Sequence, residues 1–248
     1  GSGYNTIDTA AARAKNIDVA NCPGMNATAV AELAMGMMLA LDRRIVHNAC
    51  DLRDGVWNKK EYSKALGLKG RTLGIVGLGQ IGYLIAKRAH AFEMKLVYAD
   101  VVANASAESE LGIQRVEFED LLKSADFVSL HVPMNDSTHH LINAERLALM
   151  NPSAILINCS RGGVVDSAAL VQALEAGKLR GAGLDVYENE PGASDKVFED
   201  VAGKCPAVYG THHIGASTDQ AQMAVADEVV RIVAHRQKTG ETLHCVNA

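Results

Sequence analysis

Residues 72–100 read TLGIVGLGQIGYLIAKRAHAFEMKLVYAD: a short apolar run, three closely spaced glycines, then apolar residues at helical spacing. TLGIV has the length of a buried strand, and Ile81, Leu84, Ile85 and Ala89 recur along one face of a helix. The span of 29 residues is close to that of a βαβ unit, about 30. Gly77, Gly79 and Gly82 form GxGxxG between the strand and the helix. In such a turn the first glycine makes the tight bend, the second lets backbone N–H groups approach a pyrophosphate, and the third lets helix pack on strand. The helix N-terminus adds partial positive charge for the anion. The segment therefore predicts dinucleotide binding. Asp100 ends the second strand 18 residues after Gly82, where a carboxylate accepts both adenine-ribose hydroxyls and repels a 2′-phosphate. The expected cofactor is NAD rather than NADP.

Moving toward the C-terminus, KLVYAD, FVSLHV, AILINCS, GAGLDVY and AVYGTHHI alternate with helical patterns. Continuous apolar runs indicate strands covered on both faces, and alternating βα units indicate an α/β fold with a doubly wound parallel sheet. Asp166 is positioned to cap a helix over 167–176 that Gly177 closes. Ser217 and Gln220 have capping-box spacing before a helix with Val225, Val229, Ile232 and Val233 on its apolar face, expected to pack back on the main body. The 186–206 segment is long and irregular for a strand connection. Toward the N-terminus, Thr28 to Asn48 reads as one helix, apolar on nearly every side through Leu41. Residues 1–22 read as a loop, a short helix from Thr9 to Lys15, and a strand, IDVAN.

Composition narrows the function classes. The 248 residues are 48% hydrophobic and 21% charged, with mean hydropathy +0.02, enough to bury a core without disulfide or metal. The longest apolar run, Leu33 to Leu41, has nine residues against the ~20 of a spanning helix, and no charged start followed by an apolar stretch marks a secretory signal. No membrane association is expected. Twenty-four basic against 29 acidic residues give a net charge of −5, and the only basic runs are doublets such as Arg43–Arg44 and Lys59–Lys60. That argues against nucleic acid as a partner. Five cysteines (Cys22, Cys50, Cys159, Cys205, Cys245), never spaced as CxxC, suit a reducing compartment, with the cytoplasm as the expected location.

Ligands of open α/β sheets bind beyond the carboxyl ends of the strands. Four unusual residues fall there: His131 after FVSL, Arg161 after AILINCS, Asp185 closing GAGLD, and His213 after AVYGTH. Oxidising an alcohol with NAD needs a base for the hydroxyl proton, a cation for the substrate and a carboxylate to steady the base. Histidine titrates near neutrality, and arginine's planar fork pairs bidentately with carboxylates. Arg161, His213 and one acid of Glu188, Glu190 or Asp195 supply that set, and spacing alone leaves the acid open. No metal is expected. His212 and His213 would point to opposite faces of a strand, and His139–His140 reads as a polar loop. GxSxG is absent, so a hydrolase nucleophile elbow has no support.

GLGQIG (77–82), NCSRGGVVD (158–166), LDVYENEP (184–191) and THHIGAST (211–218), in that order, resemble the D-isomer-specific 2-hydroxyacid dehydrogenases. Within that family the likeness is greatest to the branch that oxidises 3-phospho-D-glycerate in serine biosynthesis. It extends through NCPGMNATAVAEL (21–33) and the C-terminal VVRIVAHRQKTGETLHCVNA. The resemblance implies that Arg161 binds substrate, that Glu190 is the acid paired with the histidine, and that His213 is the acid/base. It also implies cofactor contacts at Gln80, Ile81, Asp100, Val132, Cys159, Ser160 and Asp185, with His213 through Gly215 and Ala216, and Ser2, near the cofactor. Expected domains are a substrate-domain remnant (1–25), an NAD-binding Rossmann domain (26–215) and a C-terminal helix returning to the substrate domain (216–248). Relatives carry an N-terminal half-lobe that this sequence does not contain, and often a proline where His212 stands. The implied partners are a small 2-hydroxy acid and further copies of the chain, as a homo-oligomer (dimer or tetramer). The implied activity is NAD-dependent oxidation of 3-phospho-D-glycerate to 3-phosphohydroxypyruvate. The same resemblance allows a hydroxypyruvate/glyoxylate reductase or D-lactate-type enzyme, and more distantly an NAD(H)-sensing corepressor.

Overall fold

The apolar runs become strands β1 (Thr72–Val76), β2 (Lys95–Ala99), β3 (Gln114–Arg115), β4 (Phe127–Leu130), β5 (Ile155–Asn158), β6 (Gly181–Leu184) and β7 (Val208–Gly210) in a computed structural model describing residues 2–4, 6–192 and 195–248. They form one sheet in the order β3-β2-β1-β4-β5-β6-β7, parallel at every pairing. The helices are α1 (Thr9–Ala14), α2 (Ala27–Arg43), α3 (Ile45–Arg53), α4 (Lys59–Tyr62), α5 (Gln80–Ala91), α6 (Ala105–Leu111), α7 (Phe118–Ser124), α8 (Ala144–Leu147), α9 (Ser167–Glu175) and α10 (Asp219–Thr239). The expected parallel α/β fold is present. Strand order reverses at β1, which lies between β2 and β4, and this reversal opens a crevice above the strand ends.

The chain divides into two compact units, Ala31–Ile214 and Gly1–Val30 with Gly215–Ala248. In the larger unit β4, β5 and β6 are buried at every residue, which is why their sequences run apolar rather than alternating. Leu73, Ile75, Ile85 and Phe127 are fully buried, each worth roughly 1.5–3 kcal/mol relative to exposure. Asp42, buried near the end of α2, accepts the Gly67 N–H (2.9 Å) and pairs with Arg71 (3.0 Å) and Arg180 (3.4 Å). In the smaller unit Val246 N–H donates to the Val19 carbonyl (2.8 Å), and Asp18 pairs with Arg236 and Thr242.

Several local expectations change. The helix expected over Thr28–Asn48 breaks at Arg44, which adopts a left-handed conformation (φ 51) with its guanidinium paired to Glu61 and lying over the Tyr62 ring. IDVAN forms no strand, only a single antiparallel bridge from Ala20 to Cys245. Thr218, not Ser217, caps α10, accepting the Ala221 N–H. Along α10, Val229 and Val233 are exposed, while Ile232 and Glu228 are buried, the latter paired with Arg231 and His244. That ion pairing turns a charged side chain inward beside Ile232, so of the expected face Ile232 is buried, Val225 half-buried, and Val229 and Val233 exposed. Asp166 does cap α9 by accepting the Ala169 N–H (2.9 Å), and Gly177 follows the helix at φ 64. Among the described residues no helix is long and apolar enough to cross a membrane.

Candidate active site

The glycine turn sits at the strand-order reversal. Gly77 has φ 92, and a Cβ there would lie 2.6 Å from the His131 carbonyl oxygen; one on Gly82 would lie 2.2 Å from the Gly77 oxygen. Neither position has room for a side chain. Gly79 differs, because a Cβ there would meet open space. Gln80 opens α5 beside it, followed by half-buried Ile81. Asp100 accepts the Leu78 N–H (2.6 Å) and the Val102 N–H (3.2 Å), which holds its carboxylate at the turn. Gly77, Gly79, Asp100, Arg115 and Val132 help line a cavity of about 670 Å³. Open space over Gly79, a free helix N-terminus and a fixed carboxylate fit the pyrophosphate and ribose of a dinucleotide.

Further along the strand ends, side chains knit the turns. After β4, Ser129 Oγ and His131 Nε2 are 2.7 Å apart, and His131 Nδ1 is buried with no hydrogen-bond partner among the described residues. Burial pushes the His131 pKa down to about 3, so this histidine stays neutral. After β5, Asn158 Oδ1 accepts from the Ser160 N–H and hydroxyl, and Asn158 Nδ2 donates to the Arg161 carbonyl (2.9 Å). The Arg161 guanidinium donates to the Ser160 carbonyl (2.7 Å). Cys159 is buried, and that burial, with Asp185 nearby, pushes its thiol up to about 12. It is therefore an unreactive neighbour. Asp185, itself buried at the end of β6, accepts the Thr211 hydroxyl (2.6 Å) and the Ile214 N–H (2.8 Å). Those two bonds straddle His213, which holds a left-handed backbone (φ 53) costing about 1–2 kcal/mol.

His213 Nδ1 lies 2.8 Å from Glu190 Oε2, while Glu190 Oε1 accepts the Tyr187 N–H (3.0 Å). Side-chain exposure is 52% for His213 and 34% for Glu190, so solvent reaches the pair. The hydrogen bond to Glu190 holds the His213 pKa above its ordinary value despite burial. Burial raises the Glu190 carboxyl, but the bonds from His213 and Tyr187 and the charges of His213 and Arg161 leave it below its ordinary value. Arg161 also opposes the charge on His213, which places all three within electrostatic reach. A Cβ on Gly162 would lie 1.8 Å from the Tyr187 carbonyl oxygen, so the Arg161 turn packs directly on the backbone that leads to Glu190.

The three acids left open by spacing have different partners. Glu188 bonds His140 (2.6 Å) and the Ser167 N–H (3.2 Å), Asp195 accepts the Gly192 N–H (2.9 Å), and only Glu190 of the three pairs with His213. Ser2, Gly215 and Ala216 belong to the smaller unit, where Ser2 Oγ donates to Asn26 Oδ1 (2.9 Å). Sequence reasoning passed over Thr211, Gly162 and Arg115. Their contributions are a staple, a close backbone approach and a cation beside Asp100, none of which has a spacing signature.

The NAD binding domain of the D-isomer specific 2-hydroxyacid dehydrogenases matches residues 35–215. A glyoxylate reductase from Thermococcus litoralis is 45% identical over 235 residues, covering 92% of this chain and 70% of that protein. A D-3-phosphoglycerate dehydrogenase from Methanocaldococcus jannaschii is 41% identical over 238 residues, covering 94% of this chain but 44% of that protein. The NAD-complexed D-isomer specific 2-hydroxyacid dehydrogenase of Lactobacillus delbrueckii ssp. bulgaricus superposes with a TM-score of 0.88 at 29% identity, over 99% of this chain and 76% of that one. With a parallel sheet, a glycine turn at its reversal point and a family match across most of the larger unit, the chain belongs to the D-isomer-specific 2-hydroxyacid dehydrogenases and is an NAD-dependent member of that family.

Proposed function

We propose that the chain interconverts a small D-2-hydroxy acid and its 2-oxo acid, with His213 moving the proton, Arg161 holding the substrate carboxylate and Glu190 orienting His213. The observation that carries this reading is the 2.8 Å contact between His213 Nδ1 and Glu190, with the charge of Arg161 felt by both. A carboxylate only accepts, so Nδ1 carries the hydrogen and Nε2 is left to exchange a proton with substrate. Bound NAD supplies the hydride acceptor in oxidation and, when reduced, the donor. In oxidation neutral Nε2 takes the hydroxyl proton; in reduction the imidazolium returns it. The fork of Arg161 fixes the carboxylate and thereby the C2 atom beside it. His131, held neutral by burial, does not compete for this role.

Reduction needs the imidazolium, so its kcat/KM is expected to persist to a pKa above ~6.5 and to fall beyond it. Glu190→Gln removes the carboxylate that raises this pKa, and the descending limb moves to lower pH. An unmoved limb would remove Glu190 from the mechanism.

At the nucleotide end, Asp100 is proposed to hold the adenine ribose. Arg115 Nη2 donates to the Asp100 carbonyl (2.8 Å), so a cation remains there when the carboxylate is removed. Asp100→Ala is expected to weaken NADH and narrow its preference over NADPH by about 10²-fold, since opposed like charges cost several kcal/mol. Unchanged cofactor preference would refute the assignment.

Two substrates have specific support. The motif resemblance and the Methanocaldococcus relative favour 3-phospho-D-glycerate. The Thermococcus relative favours glyoxylate. Initial rates with phosphohydroxypyruvate, glyoxylate, hydroxypyruvate and pyruvate under NADH separate them. Faster reduction of phosphohydroxypyruvate supports the first, of glyoxylate or hydroxypyruvate the second, and a preference for pyruvate defeats both. Exposed Ile45, Val46, Leu52, Val56 and Trp57 favour contact with a second copy of the chain.

A further inference from the structure

Away from the Glu190–His213 pair, three potential ligands from two distant loops converge. His139 and His140 lie in the loop after β4, and Glu188 lies in the loop after β6. Neighbouring side chains on an extended chain point apart, but His140 takes a left-handed backbone (φ 47). Its N–H donates to the Gly163 carbonyl (2.8 Å), which holds that unusual turn in place. The two imidazole rings consequently stack, with centroids 4.0 Å apart and planes inclined by 21°. Glu188 Oε1 lies 2.6 Å from His140 Nε2, and Glu188 Oε2 accepts the Ser167 N–H (3.2 Å). The His139 ring makes no hydrogen bond among the described residues, so its nitrogens are open to a ligand. One donor atom from each of the three side chains lies within 4.8 Å of the others.

We propose that His139, His140 and Glu188 bind a divalent transition-metal ion of the zinc class, which ties the loop after β4 to the loop that carries Glu190. Two imidazoles and a carboxylate are the donor set that such borderline ions prefer, whereas magnesium and calcium take oxygen ligands. Metal–ligand bonds of ~2.1 Å hold tetrahedral ligands about 3.4 Å apart, so the ion would part His140 and Glu188 from their 2.6 Å hydrogen bond while His139 stays within the 4.8 Å spread of the three donors. The His140 and Glu188 side chains are 33% and 28% exposed, which leaves the ion a path from solvent and room for a water ligand. The Ser167 N–H fixes the carboxylate from behind, as an outer-shell partner does in built metal sites. On this proposal the His139–His140 loop, expected from the sequence to be simply polar, also carries two ligands. Glu188 stands 48 positions from His140, so the third ligand has no local sequence signal.

Cobalt(II) titration of the chelator-treated, reduced chain tests this, with visible ligand-field absorption as the readout and zinc(II) as competitor. One equivalent of Co²⁺ is expected to bind, to be displaced by Zn²⁺, and to bind at least about tenfold more weakly in His139→Ala and in Glu188→Gln. Gln at 188 can still accept the Ser167 N–H, and the His139 side chain makes no hydrogen bond among the described residues, so both variants should fold. The exposed His90→Ala serves as a control and should bind as wild type does. Equal Co²⁺ affinity in wild type and the two variants would overturn the proposal, as would near-ultraviolet thiolate bands showing cysteine ligation.

Discussion

Replacing His213 with alanine is expected to lower turnover by about 10²–10⁴-fold in both directions while NADH affinity stays nearly unchanged. The imidazole is half-exposed and its only described hydrogen bond is to Glu190, so little of the fold depends on the ring itself. The flanking backbone is held by Asp185 through Thr211 and Ile214, and those bonds do not involve the side chain being removed. Because the backbone there is left-handed, His213→Asn is the companion variant; asparagine tolerates that conformation better than alanine. Stopped-flow reduction rates measured beside fluorescence titration with NADH separate chemistry from binding. Retained turnover with NADH affinity lost in both variants would mean that His213 serves the cofactor and not the proton.

Gly162→Ala should be almost as damaging, although it removes no reactive group. The added methyl would sit 1.8 Å from the Tyr187 carbonyl oxygen, 2.0 Å from its carbon and 2.6 Å from the Glu188 nitrogen. All three are backbone atoms, so no rotamer change relieves the overlap and residues 187–190 must move. The Tyr187 N–H that steadies Glu190 moves with them, and a displacement near 1 Å at a positioned group costs about 10²-fold in kcat/KM. Overpacking adds a stability loss of roughly 1–3 kcal/mol. Gly163→Ala is the control, since the nearest atom to its Cβ would be the free end of the Met134 side chain at 2.9 Å, which can swing aside. Similar kcat/KM for the two variants would contradict the packing of the Arg161 turn on the Glu190 loop.

The fold was legible because its signals are local. A strand, a glycine turn and a helix lie within 29 residues, and runs such as FVSL and AILIN announce two-sided burial. Arg161, Asp185 and His213 were also legible, because strand ends can be read once strands are read. Glu190 was not separable from Glu188 and Asp195 by spacing; a 23-residue separation from His213 says nothing about which acid turns inward. The family resemblance named it, and its hydrogen bond to His213 is the physical difference among the three. Other features depend on partners distant in sequence. Arg44 breaks the long helix where Glu61 and Tyr62 hold its side chain, and Glu228 of α10 turns inward to pair with Arg231 and His244 while Val229 and Val233 face out. Hydrophobic periodicity carries no information about such charge pairings.

Soaking crystals of the protein with NADH and oxamate, a 2-oxo acid isostere, would locate the reacting centre directly. The oxamate carboxylate should lie in bidentate contact with Arg161, and its carbonyl oxygen within about 2.6–3.2 Å of His213 Nε2. Oxamate seated away from both side chains, with Arg161 and His213 still free, would contradict the shared proton-and-hydride site.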